Sequence, residues 1–165
     1  MISLVIPGEP VPWCRPQFTR YGKTYTEPKS AAYKERIQIV ARYEYKNAVV
    51  FEDPLRLDIV FYLPIPQSWS KIKQALAQEG VLRPAGRPDA DNLGKAVLDG
   101  LNKIVYKDDA QVVELQIKKY YDENPRTEVF FTPMGYAPAP VEDIKPIQLR
   151  LKKEYIAQKA KKAHL

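Results

Sequence analysis

Among 165 residues the chain has one cysteine, Cys14, and one histidine, His164. A lone cysteine excludes a disulfide framework or a multi-cysteine zinc site within one chain, and Cys14 reads as a small, partly buried residue. Histidine-based acid–base chemistry has only a residue at the tail end to draw on. No apolar run approaches the ~20 residues of a membrane span. The opening Met1-Ile2-Ser3-Leu4-Val5-Ile6-Pro7-Gly8 lacks a basic leader and is too short an apolar run for a signal peptide, so a cytoplasmic protein is expected.

What is present fits one globular domain able to bury its own core. Hydrophobic residues make up 45% and charged residues 28%, too apolar a balance for a disordered chain. The net charge of +6 is a terminal feature. Lys145, Arg150, Lys152, Lys153, Lys159, Lys161 and Lys162 face a single acid, Glu154, in the last stretch, and the preceding body is neutral. Such a tail is read either as an attractor of polyanions or as a solvated helix end.

Ile2, Leu4 and Ile6 suggest a first strand stopped by Pro7-Gly8. Trp13, Phe18, Tyr21 and Tyr25 then interleave with Arg15, Arg20 and Lys23 around a turn at Tyr21-Gly22. Pro28, with Thr26 as cap, opens a helix to about Asn47 whose Tyr33, Ile37, Val40 and Ala41 share a face. Leu55, Leu57, Ile59, Phe61 and Leu63 alternate with Arg56, Asp58, Val60 and Tyr62, the clearest half-buried strand. After Pro64-Ile65-Pro66, Ser68 or Ser70 caps a short helix ending at Gly80. A helix is predicted from about Asp91 to Lys103. Gln111 to Tyr120 and Arg126 to Thr132 are predicted as a strand pair turning near Asn124-Pro125. Four prolines between Pro133 and Pro146 mark a linker, and a basic amphipathic helix with Ile147, Leu151 and Tyr155 on one side follows.

The chemistry concentrates in six carboxylates: Asp89, Asp91, Asp99, Asp108, Asp109 and Glu114. Two unit charges about 4 Å apart repel by roughly 4 kcal/mol at an effective dielectric of 20. Acids this dense are solvated, share protons or hold a cation. At 100° per residue, Leu93, Val97, Leu101 and Ile104 fall on one face of the predicted helix and Asp91, Lys95, Asp99 and Asn102 on the other. Asp89 lies at the helix start, where the macrodipole favours negative charge. If the next strand folds back beside that start, Asp109 approaches Asp89 and Asp91. Hard oxygen donors suit Mg²⁺, which polarises phosphoryl oxygens and activates water, and Lys95 would steady charge developing on a phosphate. The same residues also read as helix caps, an Asp91–Lys95 helix pair and an ordinary hydrophilic turn. A calcium loop is excluded, because Leu93 and Gly100 stand at its fifth and twelfth positions.

The ordered set Asp89-Ala90-Asp91-Asn92-Leu93-Gly94-Lys95, Asp99-Gly100-Leu101 and Asp108-Asp109-Ala110-Gln111-Val112 closely resembles the RusA family of Holliday-junction resolvases. The Trp13-Cys14-Arg15-Pro16 segment and the aromatic-basic hairpin look like that family's DNA-contacting region. The resemblance covers about Met1 to Thr132. It implies an α+β fold, a mixed β-sheet flanked by helices, over a nuclease domain of residues 1–135. The Pro-rich linker and basic C-terminal helix of 136–165 extend beyond it. It further implies catalytic and metal-binding roles for Asp89, Asp91 and Asp109, with Asp108 assisting, a catalytic Lys95, and Asp99 in a supporting role. Mg²⁺, or Mn²⁺, is the implied cofactor. A homodimer cutting four-way DNA junctions in recombination and repair is the implied assembly, in a family frequent in phages and prophages.

Arg15, Arg20, Lys23, Arg83 and Arg87 are the candidate DNA contacts, each also readable as a solvated surface cation. Tyr21 or Phe18 is a candidate for stacking on an unpaired base, with a core position favoured for Phe18. Two rival readings keep the fold but change the function: a non-catalytic protein that binds DNA junctions, and a nuclease for flaps or replication forks.

Overall fold

The computed structural model describes residues 2–18, 24–46 and 51–135. In chain order the elements are β1 (Ile2–Pro7), β2 (Gln17–Phe18), β3 (Thr24–Tyr25), α1 (Pro28–Tyr45), β4 (Leu55–Pro64), α2 (Lys71–Gln78), α3 (Ala90–Leu101), a 3-10 turn (Asp109–Gln111), β5 (Val112–Asp122) and β6 (Arg126–Pro133). The expected roles of Arg20, Tyr21 and Lys23, the side chain of Phe18, and the linker and helix of 136–165 lie outside the described residues. Among the described residues, no helix is long and apolar enough to cross a membrane.

The architecture is α+β, with a mixed four-stranded sheet in the order β1-β6-β4-β5 and a separate antiparallel β2–β3 ribbon. β4 takes an interior position because one side of it is continuously apolar. Leu55, Leu57, Ile59 and Phe61 are fully buried, and the residues between them are only half-buried. Each such side chain contributes roughly 1.5–3 kcal/mol on burial. β6 lies antiparallel on one flank of β4, with Ile59 opposite Val129. β5 lies parallel on the other flank, with Ile59 opposite Ile117. Parallel neighbours need a long crossover, and the chain through α2 and α3 supplies it.

The predicted pairing of 111–120 with 126–132 is therefore corrected. Both segments are strands, but β4 stands between them. The connection at Glu123-Asn124-Pro125 crosses the end of β4, where Pro64 lies opposite Asp122. A direct hairpin would have left the most apolar strand with an unpaired edge.

On the inner face, α1 buries Ser30, Tyr33, Ile37 and Ala41, one residue per turn. The Tyr33 hydroxyl and Thr127 Oγ1 share a buried hydrogen bond of 2.7 Å, which ties α1 to β6. The N-cap of α1 is Glu27 rather than Thr26, and its side chain makes no capping bond. Pro28 opens the helix, its missing N–H being no loss there. Ser70 caps α2, accepting from the Lys73 N–H at 3.4 Å. In α3, Leu93, Val97 and Leu101 are fully buried, as the two-faced reading requires.

Two glycines let α3 approach its neighbours. A Cβ at Gly100 would lie 2.8 Å from Ile37 Cγ2 and 3.1 Å from Ile37 Cβ, so α1 sets that limit. At Gly94 the obstacle is the terminal Cδ1 of Ile117, which rotates freely by comparison. Gly100→Ala should accordingly destabilise by about 1–3 kcal/mol through overpacking. Gly94→Ala should be neutral or stabilising by up to ~1 kcal/mol, helix propensity outweighing a rotamer change. Urea denaturation of both variants checks the contrast. A pH test addresses the α1–β6 tie. Burial pushes the Tyr33 phenol up to about 12 from 10.0, so the folded state favours its neutral form. That contribution is complete below pH 10 and is lost as pH rises from 10 to 12. Tyr33→Phe should flatten this part of the stability curve.

Candidate active site

The start of α3 is held by the sheet. Lys119 lies opposite the inward-facing Phe61 in the register of β4 and β5, and its Nζ donates to the carbonyls of Gly86 (3.0 Å) and Pro88 (2.9 Å). Those two bonds anchor the loop that delivers Asp89. Asp89 is the N-cap residue of α3, in extended backbone (φ −72°, ψ 142°), yet its carboxylate makes no capping bond. Asp91 follows in the first turn, exposed to solvent. Two of the predicted acids thus share one helix terminus, where exposed N–H groups favour negative charge.

Lys95 comes one turn later. Among the described residues it forms no ion pair with Asp91 or Asp99. Its Nζ lies 3.8 Å from the centroid of the Trp13 ring. The Trp13 N–H donates to the Asn92 carbonyl at 2.9 Å, fastening the Trp13 segment along the first turns of α3. A cavity of about 630 Å³ opens on one side, lined by Trp13, Lys29, Arg87, Asp89 and Asn92. Another of about 500 Å³ lies on the other side, lined by Trp13, Lys34, Ala96 and Asp99. Cys14 borders both, half-buried, with its thiol donating to Glu27 Oε2 at 3.0 Å. That bond, more than burial, holds the thiol above its ordinary range.

Asp108 and Asp109 belong to the opposite end of α3. The Asp108 carboxylate caps the 3-10 turn, accepting from the Ala110 N–H at 2.9 Å. Gln111 closes the box, with Oε1 accepting from the Lys107 and Asp108 N–H groups and Nε2 donating to the carbonyls of Phe51 and Asp53. Asp109 is exposed and, among the described residues, without an ion pair. Burial holds the Tyr106 phenol above its usual range, and the nearby charges of Asp109 and Asp99 add to the effect. That hydroxyl donates to the Leu98 carbonyl at 2.9 Å, near the C-terminal end of α3.

The expected convergence of Asp109 on Asp89 and Asp91 is not found within one subunit. Among the described residues, no three His, Cys, Asp or Glu side chains are placed to hold a metal ion together. The reason is direction. α3 runs antiparallel to β5, with Gly94 against Ile117 and the α3 start beside Lys119. From Lys119 back to Val112 an extended strand covers about 23 Å, and Asp109 belongs to the turn that enters that strand, its charge felt by Tyr106 near the C-terminal end of α3. Asp89 and Asp91 remain together. Hard, exposed carboxylates free of ion pairs match the one or two that Mg²⁺ takes from a protein.

The candidate DNA contacts divide. Arg15 is exposed, and Arg87 lines the cavity beside Asp89. Arg83 has a structural task, its Nε donating to the Lys119 carbonyl at 2.8 Å and its guanidinium lying 3.5 Å from the Tyr120 ring centroid. Lys29, Lys34 and Lys119 were not anticipated from sequence. For Lys119 the signal existed, since it continues the alternation of Leu115 and Ile117. For Lys29 and Lys34 there was none, because only the packing of α1 on α3 brings them to the site.

Residues 7–132 match the family profile Endodeoxyribonuclease RusA. The chain belongs to the RusA endodeoxyribonuclease family. The matched range holds the anchored loop, α3 and the capped turn that carry Asp89, Asp91, Asp99, Asp108 and Asp109. The chain is also 40% identical over 133 residues to the uncharacterized protein YqaN of Bacillus subtilis, covering 78% of this chain and 93% of that protein. It is 37% identical over 82 residues to the crossover junction endodeoxyribonuclease rusA of Lactococcus phage r1t, covering 48% of this chain and 54% of that protein.

The two kinds of acid in this RusA-family site should separate in stability measurements. Asp108→Ala removes a cap and should cost about 0.5–2 kcal/mol. Asp89→Ala removes no hydrogen bond and should stay within about 0.5 kcal/mol, lost dipole stabilisation being offset by relief from Asp91. Chemical denaturation of the two variants provides the comparison.

Proposed function

We propose that the protein is a divalent-metal-dependent endonuclease that resolves four-way DNA junctions as a homodimer, in recombination and repair. One observation carries the reading: Asp89 and Asp91 share the start of α3 without ion pairs, one turn from Lys95, in a family of endodeoxyribonucleases. The phage relative named a crossover junction endodeoxyribonuclease supports the four-way junction as substrate.

Asp89 and Asp91 are the residues that would hold Mg²⁺ or Mn²⁺. Such an ion polarises a phosphoryl oxygen and makes water a competent nucleophile at neutral pH. Lys95 places a permanent positive charge one turn from the acids, where it stabilises negative charge developing on the phosphate. Arg15 and Arg87 hold the DNA backbone, with Lys29 and Lys34 from α1 as further contacts, and such contacts make binding steeply salt-dependent. Asp109 sits at the far end of α3, so it joins the acid pair from a second copy of the chain. A two-fold dimer then presents two equivalent sites to two opposed strands. The basic residues of 136–165 add affinity for DNA.

Labelled four-way junctions, flaps and forks, each incubated with and without Mg²⁺, test the substrate. Metal-dependent, paired incisions at the junction are expected. Binding without incision would establish the non-catalytic reading, and preference for flaps or forks would replace the substrate. Asp91→Asn and Asp109→Asn should each reduce cleavage at least ~10³-fold while preserving junction binding, because each removes a charge that repels DNA. Mixing the two variants should restore cleavage in part, one wild-type set of acids being reconstituted per heterodimer. No recovery on mixing would return Asp109 to a role within its own subunit.

A further inference from the structure

Lys95 has carboxylates on either side along its own helix, Asp91 one turn before and Asp99 one turn after. Both stand at the spacing that ordinarily forms helix ion pairs. Neither pair forms among the described residues; the ammonium lies over the Trp13 ring instead, 3.8 Å from its centroid. Tryptophan offers the strongest aromatic face for a cation. Trp13 is also held in place. Its backbone N–H is bonded to Asn92 O, its side chain packs partly buried against the core, and the next residue is tied to Glu27 through the Cys14 thiol. Trp13 lines both cavities, the one shared with Asp89 and the one shared with Asp99, and Lys95 itself is exposed to solvent.

We propose that Trp13 is a positioning residue that holds the Lys95 ammonium away from Asp91 and Asp99, keeping the acids open to a divalent cation and the ammonium open to a phosphate. A carboxylate partner would hold Lys95 just as well, but it would neutralise both groups at once. A neutral π-face holds the cation and leaves its charge intact. Lys95 closed on Asp91 would also place a fixed positive charge where the divalent ion must bind, opposing it directly. The inference rests on the proposed role of Lys95 in cleavage. It assigns Trp13 to the lysine, not to a DNA base.

The test uses the full chain with Trp13→Phe, Trp13→Leu, Lys95→Met and the Trp13→Leu/Lys95→Met double variant. Three quantities are read: the ring-current shift of the Lys95 side chain by NMR, the affinity for Mn²⁺ alone by calorimetry, and the single-turnover cleavage of a four-way junction. Trp13→Leu should abolish the upfield shift, weaken Mn²⁺ binding about three- to thirtyfold and slow cleavage by a similar factor. Trp13→Phe, which keeps an aromatic face, should fall between Leu and wild type in all three. Adding Lys95→Met to Trp13→Leu should restore Mn²⁺ affinity to the wild-type value or better, since no ammonium remains to compete. If Trp13→Leu leaves Mn²⁺ affinity unchanged, or the double variant binds as weakly as Trp13→Leu, the inference is wrong. Cleavage at the wild-type rate by Lys95→Met would remove the underlying reading of Lys95, whatever the Mn²⁺ data show. If Trp13→Leu does not fold, the graded response of Trp13→Phe decides the matter.

Discussion

The packing of α3 on the sheet is the contact from which the site follows. Leu93, Val97 and Leu101 bury one stripe of the helix against β5 and α1, and that burial turns the opposite stripe to solvent. The contact also sets distance and direction. Gly94 lets the helix settle onto Ile117, Gly100 lets it settle onto Ile37, and the bonds from Lys119 hold the entering loop. Asp89 and Asp91 are fixed in place by interactions that involve neither of their carboxylates.

That separation of structural from chemical groups recurs through the region. Asp108 and Gln111 secure the turn before β5, while Asp109 beside them carries no such bond. Asp89 occupies a cap position without capping. Four acids of the sheet are paired: Asp58 and Glu114 with Arg56, and Asp122 and Glu128 with Arg126. Exposed carboxylates pay little desolvation, which keeps the arrangement tolerable until a divalent ion arrives.

Much of this was legible in the residues. The alternation from Leu55 to Leu63 marked β4 because a strand repeats every two residues. The two faces of α3 and a serine cap for α2, at Ser68 or Ser70, were visible for equally local reasons, and the structure uses Ser70. The strand order was not. Whether β5 pairs with β6 or with β4 depends on which edges compete for a buried partner, and two strands joined by a short turn look like a hairpin in any linear reading. The place of Asp109 was hidden with it. Once β5 pairs with β4 and runs antiparallel to α3, Asp109 moves to the far end of the helix.

The amino-acid sequence alone determined the apolar periodicities, the face on which Lys95 and its acids lie, and the family to which they belong. These depend on neighbours within a turn or two and on side-chain chemistry. Tertiary structure decided what each charged group meets. It put Trp13 under Lys95, Lys119 beneath the loop of Asp89, and Asp109 toward the opposite end of α3 from Asp91. Contacts between residues far apart in the chain depend on how helices and strands stack, and no local pattern encodes that stacking.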